Sequence, residues 1–235
     1  MILKRKKNWN SVELKKSLSG YIITLDGNTL RTPSKKECII ENQSIANEVH
    51  KEWSKLQYEV DYDHMPYTKT CFISIDRSEN ESLTLKNKLV GYGKSDLLCY
   101  RAEKESDLTE IQSKSWDPLL QWMHSQFHVN FKVSYGIMPV EQTSDLESTL
   151  SKLIAPIDSL ALTAVNDIVT FSGSLVIGLT LFKGRLKPAN AWKIIRIDED
   201  WQRERWGTLD EQVVEDNINK TMFMHACRIL KIVQK

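Results

Sequence analysis

From Ile168 to Phe182 the chain reads IVTFSGSLVIGLTLF, 15 residues without a charge. This stretch constrains the fold more than any other, because a segment so apolar has to be surrounded by a core rather than by water. It falls short of the roughly 20 residues a helix needs to cross a bilayer. The pattern therefore predicts a buried core helix, running from Leu160 to Phe182 and stopped by Gly184. Ser172, Gly173, Ser174 and Gly178 are small residues at which another helix can approach closely. The chain is long enough to enclose such a helix. Its 235 residues are 41% hydrophobic and 27% charged, ordinary proportions for a globular protein.

The first third has a different period. Tyr21–Leu25 is a β-prone run, Asp26-Gly27-Asn28 a turn signal, and Thr29–Thr32 the return strand. Pro33 ends that strand, and Glu37–Ile40 is a third short strand. Ile45, Val49, Trp53 and Leu56 then recur at helical spacing, with Asn42 or Ser44 as cap. Asp61–Pro66 reads as a loop, followed by a helical pattern broken near Ser78–Ser82. Leu97–Tyr100, after Gly91 and Gly93, reads as a buried strand. Leu108 to Phe127 is a long amphipathic pattern that Pro118 either kinks or restarts from an Asp117 cap. After an extended stretch from Phe131 to Val140 the remainder is helical. Ser144 and Glu147 form a capping-box pattern, Ala189–Arg205 a helix closed by Gly207, and Leu209 or Glu211 to Val233 the last helix. The expected fold class is α+β: a mixed domain with short antiparallel strands over 1–130 and an all-helical domain over 131–235.

Little in the sequence points to catalysis. Neither G-x-x-x-x-G-K-[ST] nor G-x-G-x-x-G occurs, and no G-x-S-x-G elbow is present. Cys38, Cys71, Cys99 and Cys227 form no C-x-x-C pair and read as buried small hydrophobes in a reducing compartment. His124 and His128 have the spacing of a zinc pair but no glutamate between them and no evident third ligand. No metal and no cofactor is expected. The net charge of +1 lacks the basic excess of a protein that grips phosphates. The basic arm Lys4–Lys7 reads as a solvated terminus, with RNA contact as its functional alternative.

The densest acidic cluster is Asp198-Glu199-Asp200, followed by Trp201, Gln202, Arg203, Glu204, Arg205 and Trp206. Adjacent acids on a helix point about 100° apart, so they do not converge as a general acid and base. Arg196 with Asp200, and Glu199 with Arg203, are spaced for weak ion pairs along a solvated face. Trp192 and Trp206 stand seven residues either side of Glu199. On one helix they would share its face, and an acid between large aromatics resembles an interface anchor. Solvated face, recognition surface and, behind both, a small enzyme using Asp198–Asp200 all stay open on residues alone.

Several stretches together resemble the F1-ATPase assembly chaperones that act on the alpha subunit. Leu25-Asp26-Gly27 with Leu30-Arg31-Thr32-Pro33 resembles their L-D-G-x-x-L-x-T-P signature, and Glu52-Trp53 their E-W helix end. Met65-Pro66 to Ile75-Asp76 resembles their M-P-x-T segment and the helix after it. Ser95 to Arg101 resembles their D-L-L-C-Y-R strand. Trp116-Asp117-Pro118-Leu119-Leu120, Gly136–Val140, Ser174-Leu175-Val176, Asp198–Gln202 and Arg205-Trp206-Gly207 follow in order. The chain departs from the pattern at Asn28, Ser54 and Lys69, exposed-type positions that bear on local charge contacts rather than on the fold.

The resemblance implies an N-terminal α+β domain, a helical domain and no catalysis. Its implied job is binding the unassembled F1 alpha subunit and preventing its aggregation before it pairs with beta. A lone alpha subunit exposes a large apolar interface, the kind of surface that aggregates. The partner-binding residues expected are Glu199, Asp198, Asp200, Trp201, Trp206 and Trp192. The protein is expected to act as a monomer, without nucleic acid or membrane insertion. With the family core beginning almost at Met1, the expected setting is a bacterial cytoplasm, or the mitochondrial matrix for a trimmed form.

Overall fold

A computed structural model describes residues 5–104 and 106–234, without the side chain of Arg5. Lys4 of the basic arm lies outside the described residues. The chain divides into two compact units. The first is 1–81 with 158–163 and 232–235; the second is 82–157 with 164–231. The divide expected near residue 130 falls within the second unit, in the loop after a long helix, because that helix packs with the helices that follow it.

In the first unit, β1 (Arg5–Lys6) is followed by β2 (Val12–Ser17), β3 (Gly20–Leu25), β4 (Asn28–Thr29) and β5 (Ile39–Ile40). β2, β4 and β5 all pair antiparallel with β3. The Asp26-Gly27 turn has positive φ at both residues, 48° and 81°, as a two-residue hairpin requires. The Asp26 carboxylate accepts from the Asn10 and Ser11 amides at 3.0 and 2.8 Å, and these bonds hold its pKa below the usual range. β2 was not expected: Val12–Ser17 is lysine-rich, and only its pairing with β3 makes it a strand.

Helix α1 (Gln43–Lys55) buries Ile45, Ala46, Val49 and Trp53. Asn42 is its cap, accepting from the Ser44 and Ile45 amides at 2.9 and 3.2 Å. β6 (Glu59–Val60) then pairs with β1. The described part of the basic arm is therefore a strand rather than a frayed end, with Lys7 Nζ donating to the Leu56 carbonyl at 3.1 Å. A 3-10 turn over Tyr62–His64 leads to α2 (Pro66–Asp76), with Pro66 in its first turn.

The second unit holds most of α3 (Glu79–Lys94), then a 3-10 turn at Leu97–Cys99, β7 (Tyr100–Arg101), α4 (Asp107–Phe127) and β8 (Ser134–Tyr135), parallel to β7. Thus Gly91 and Gly93 lie inside α3, and of the strand expected over Leu97–Tyr100 only Tyr100 is extended, in β7. Helix α4 starts from a Ser106 cap and runs through Pro118, whose missing N–H lies on an exposed face. Next come α5 (Ser144–Ile154), α6 (Ser159–Ser172) and α7 (Leu175–Phe182). The capping box expected at Ser144 does not form: Thr143 holds the cap position without a side-chain bond.

Most of the 15-residue apolar run is buried as expected, with Thr170 exposed, but it forms two helices rather than one. Gly173 turns the chain at φ 65°, and Ser174 caps α7 by accepting from the Ile177 amide at 3.1 Å. A Cβ on Gly178 would lie 2.8 Å from Val169, so α6 and α7 do touch at a small residue. Asp96 fixes the same corner. Fully buried, it accepts from the Leu98 and Val176 amides, both at 3.0 Å, and burial pushes its pKa up to about 6. The chain ends with α8 (Pro188–Ile195), α9 (Ile197–Trp206) and α10 (Asp210–Val233). All four cysteines are free and buried. Among the described residues no helix is long and apolar enough to cross a membrane.

Candidate functional site

The helix expected over Ala189–Arg205 is two helices, and this changes the site. The chain turns at Arg196, with φ −101° and ψ 4°. The charge order shows why a new helix starts there. Asp198, Glu199 and Asp200 fill the first turn of α9, and Arg203 and Arg205 its last, each matching the sign of the helix dipole. Gly207 closes α9 at φ 83°.

Trp192 is therefore on α8 and does not share a helical face with Glu199 and Trp206. It is half-buried, its ring 5.5 Å from Phe223 with Arg196 over it at 5.7 Å. Its role in this geometry is packing, which corrects the shared-face expectation. Asp198 also turns inward: its Oδ1 accepts from Gln112 Nε2 at 2.8 Å. Burial raises its pKa, against the Gln112 bond and the Arg101 charge. Asp200 keeps its expected partner, Arg196 Nε at 3.8 Å. With Asp198 held by α4 and Asp200 by Arg196, the two acids do not form a paired acid–base site.

Glu199 is different. It is exposed, and its carboxylate makes no hydrogen bond or ion pair among the described residues. The Arg203 expected to pair with it instead holds Asp216 on α10, as does Arg196 through two 2.9 Å bonds. Trp201 is half-buried: its Nε1 donates to Asp107 at 3.2 Å, and Arg205 lies over its ring at 3.6 Å while pairing with the same aspartate. Trp206 meets Trp201 edge-on at 5.8 Å and stays 73% exposed. The inner side of α9 is thus bonded to α4 and α10, while Glu199 and Trp206 are left to solvent.

Sequence reading missed Asp107, Gln112 and Asp216, which do this bracing. They lie far along the chain or on another helix, and no local spacing marks them. It also missed Arg101, whose buried guanidinium bonds Asp117 at 2.7 Å and stacks over Trp116 at 4.9 Å. Among the described residues no group of three or more histidine, cysteine or acidic side chains could hold a metal ion. His128 has a left-handed backbone at the end of α4, so it does not continue the helical face of His124.

Comparison with known proteins adds the context. Residues 6–124 match the family model described as ATP12 chaperone protein. The mitochondrial protein atp12 of Schizosaccharomyces pombe is 26% identical over 223 residues, covering 89% of this chain and 76% of that protein. The crystal structure of Atp12 from Paracoccus denitrificans superposes with a TM-score of 0.90 at 29% identity, over 97% of this chain and 98% of that one. Atu1473 from Agrobacterium tumefaciens gives the same TM-score at 26% identity, over 98% and 87%.

Proposed function

Because the chain belongs to the ATP12 chaperone family, we propose that it assists assembly of the F1 sector of ATP synthase by binding the unassembled alpha subunit. It covers the apolar face of alpha that would otherwise aggregate, and gives way to beta. Its place of action is wherever F1 is built, a bacterial cytoplasm or a mitochondrial matrix. The observation that carries the contact site is α9: a helix bonded on its inner side and left with a free carboxylate, Glu199, and a largely exposed Trp206 on the outside. A carboxylate without an internal partner can take a basic or backbone donor from alpha at no cost to the fold, and an exposed indole supplies contact area. Asp198, Asp200, Trp201 and Trp192 support this surface by fixing α8 and α9.

The test is light scattering of isolated alpha subunit, with the protein added in several-fold excess and no nucleotide. Suppressed aggregation supports the reading; unchanged scattering removes it. Glu199→Lys is expected to leave the thermal melt nearly unmoved while weakening alpha binding by about 2 kcal/mol, as for a desolvated charged anchor.

A further inference from the structure

We infer that the N-terminal half of α10 is a docking helix, whose exposed Val214, Ile218 and Met222 seat on an apolar, basic-rimmed surface of the unassembled alpha subunit. This rests on the function proposed above and extends the contact beyond α9.

The three residues stand at i, i+4 and i+8, one face of the helix, the spacing with which an amphipathic helix enters an apolar groove. They are 61%, 55% and 48% exposed. From Phe223 onward the same helix is buried, through His225, Ala226, Cys227, Ile229 and Leu230. Leu209 and Trp206, just before this helix, are more exposed still. Three exposed aliphatic side chains aligned along one helix face fit an interaction site better than apolar residues scattered singly would.

The orientation is fixed from behind. Asp216 precedes Ile218 by two residues, about 200° around the helix. Arg196 holds Asp216 through two 2.9 Å bonds and Arg203 adds a third. These bonds tie the inner face to α8 and α9 and set the rotation that turns Ile218 outward. They also give Arg203 a use that pairing with Glu199 would not.

Charge names the occupant. Asp210, Glu211 and Glu215 are exposed beside the stripe, and none makes an ion pair or hydrogen bond among the described residues. Lys220 is the one basic residue from Asp210 to Met222. An apolar stripe rimmed by free acids complements an apolar surface bordered by lysine or arginine. A second copy of this chain would set the same acids against one another, which disfavours self-pairing.

The experiment is a titration of purified alpha subunit with wild type, Val214→Ser/Ile218→Ser and Glu211→Lys/Glu215→Lys, beside thermal melts and sedimentation. Both variants are expected to bind at least about tenfold more weakly at low salt. The deficit of the charge variant should shrink as salt rises, because exposed charges are screened. The melt of the serine variant should match wild type, since Val214 and Ile218 face solvent, and that of the charge variant should fall only slightly, since Glu211 lies in the first turn of α10. If the serine variant melts early, the charge variant decides. Wild-type binding that both variants retain within about twofold overturns the docking face alone. A wild-type dimer that the serine variant abolishes overturns alpha as the occupant. Absence of wild-type binding removes the proposed function, and this occupant with it.

Discussion

Glu52 and Asp76 of the first unit and Glu199, Glu211 and Glu215 of the α9–α10 corner have opposite uses. Glu52 accepts from the Tyr67 and Thr68 amides and the Thr68 hydroxyl at 2.7–2.8 Å, so it caps α2 from α1. Beside it Trp53 Nε1 donates to Thr68 Oγ1 at 3.1 Å. Asp76 accepts from the Thr32 hydroxyl at 2.5 Å and the Ser34 amide at 3.1 Å. Glu52-Trp53 is thus bonded to Tyr67-Thr68, and Thr32–Ser34 to Asp76, at the two ends of α2: these bonds are the frame of the unit. At the other corner Asp198, Asp107 and Asp216 are spent on bracing, while Glu199, Glu211 and Glu215 make no hydrogen bond or ion pair among the described residues. An acid with two or three protein donors is there for the fold; an acid with none, on a braced helix beside exposed aromatic and aliphatic side chains, is available to a partner.

The largest effect is expected at Asp96, a buried acid of the second unit used as Glu52 and Asp76 are used in the first. Asp96→Ala leaves the Val176 and Leu98 amides buried without an acceptor, and unfolding free energy should fall by about 3–5 kcal/mol in a denaturant titration. The same group carries a pH signature. Its folded pKa of about 6 lies above the carboxylate value of 3.8, so the folded state binds the proton more tightly. Its contribution to stability is then greatest at acid pH and declines as pH rises from about 4 through about 6, by on the order of 3 kcal/mol. Asp96→Asn, measured at pH 4.5 and 7.5, should flatten that decline.

Glu52→Ala comes next, at about 2–3 kcal/mol, because two helix-start amides lose their cap. Asp216→Ala should cost about 1–2 kcal/mol, since its arginine partners are left partly buried. It should also weaken alpha binding, because the rotation of α10 is no longer held. Glu199→Lys sits at the bottom of the stability scale, at about 1 kcal/mol or less, because it reverses an exposed charge in the first turn of α9. If Glu199→Lys proved as damaging to the melt as Glu52→Ala, the division between frame and contact acids would fail.

How far the sequence showed this depends on the range of the interactions. The Asp26-Gly27 hairpin, the Asn42 cap and the burial of Ile168–Phe182 are local signals and were readable. The break at Gly173 was hidden because the residues on both sides are equally apolar; the cue was Ser-Gly-Ser itself, a turn residue followed by a cap. The break at Arg196 was hidden by continuous helical spacing, although three acids in a row are a helix-start signal that could have placed it. Exposure of Glu199 and Trp206 was legible from their charged neighbours. The inward turn of Asp198 and the packing of Trp192 were not, because Gln112 and Phe223 lie 86 and 31 positions away.

The most direct test is hydrogen–deuterium exchange of the full chain with and without isolated alpha subunit. The account predicts added protection concentrated in α9 and the first half of α10, from Ile197 to Met222, with α1, α2 and the β2–β5 sheet unchanged. Protection on the sheet and α1, with α9 and α10 exchanging as in the free protein, would contradict it.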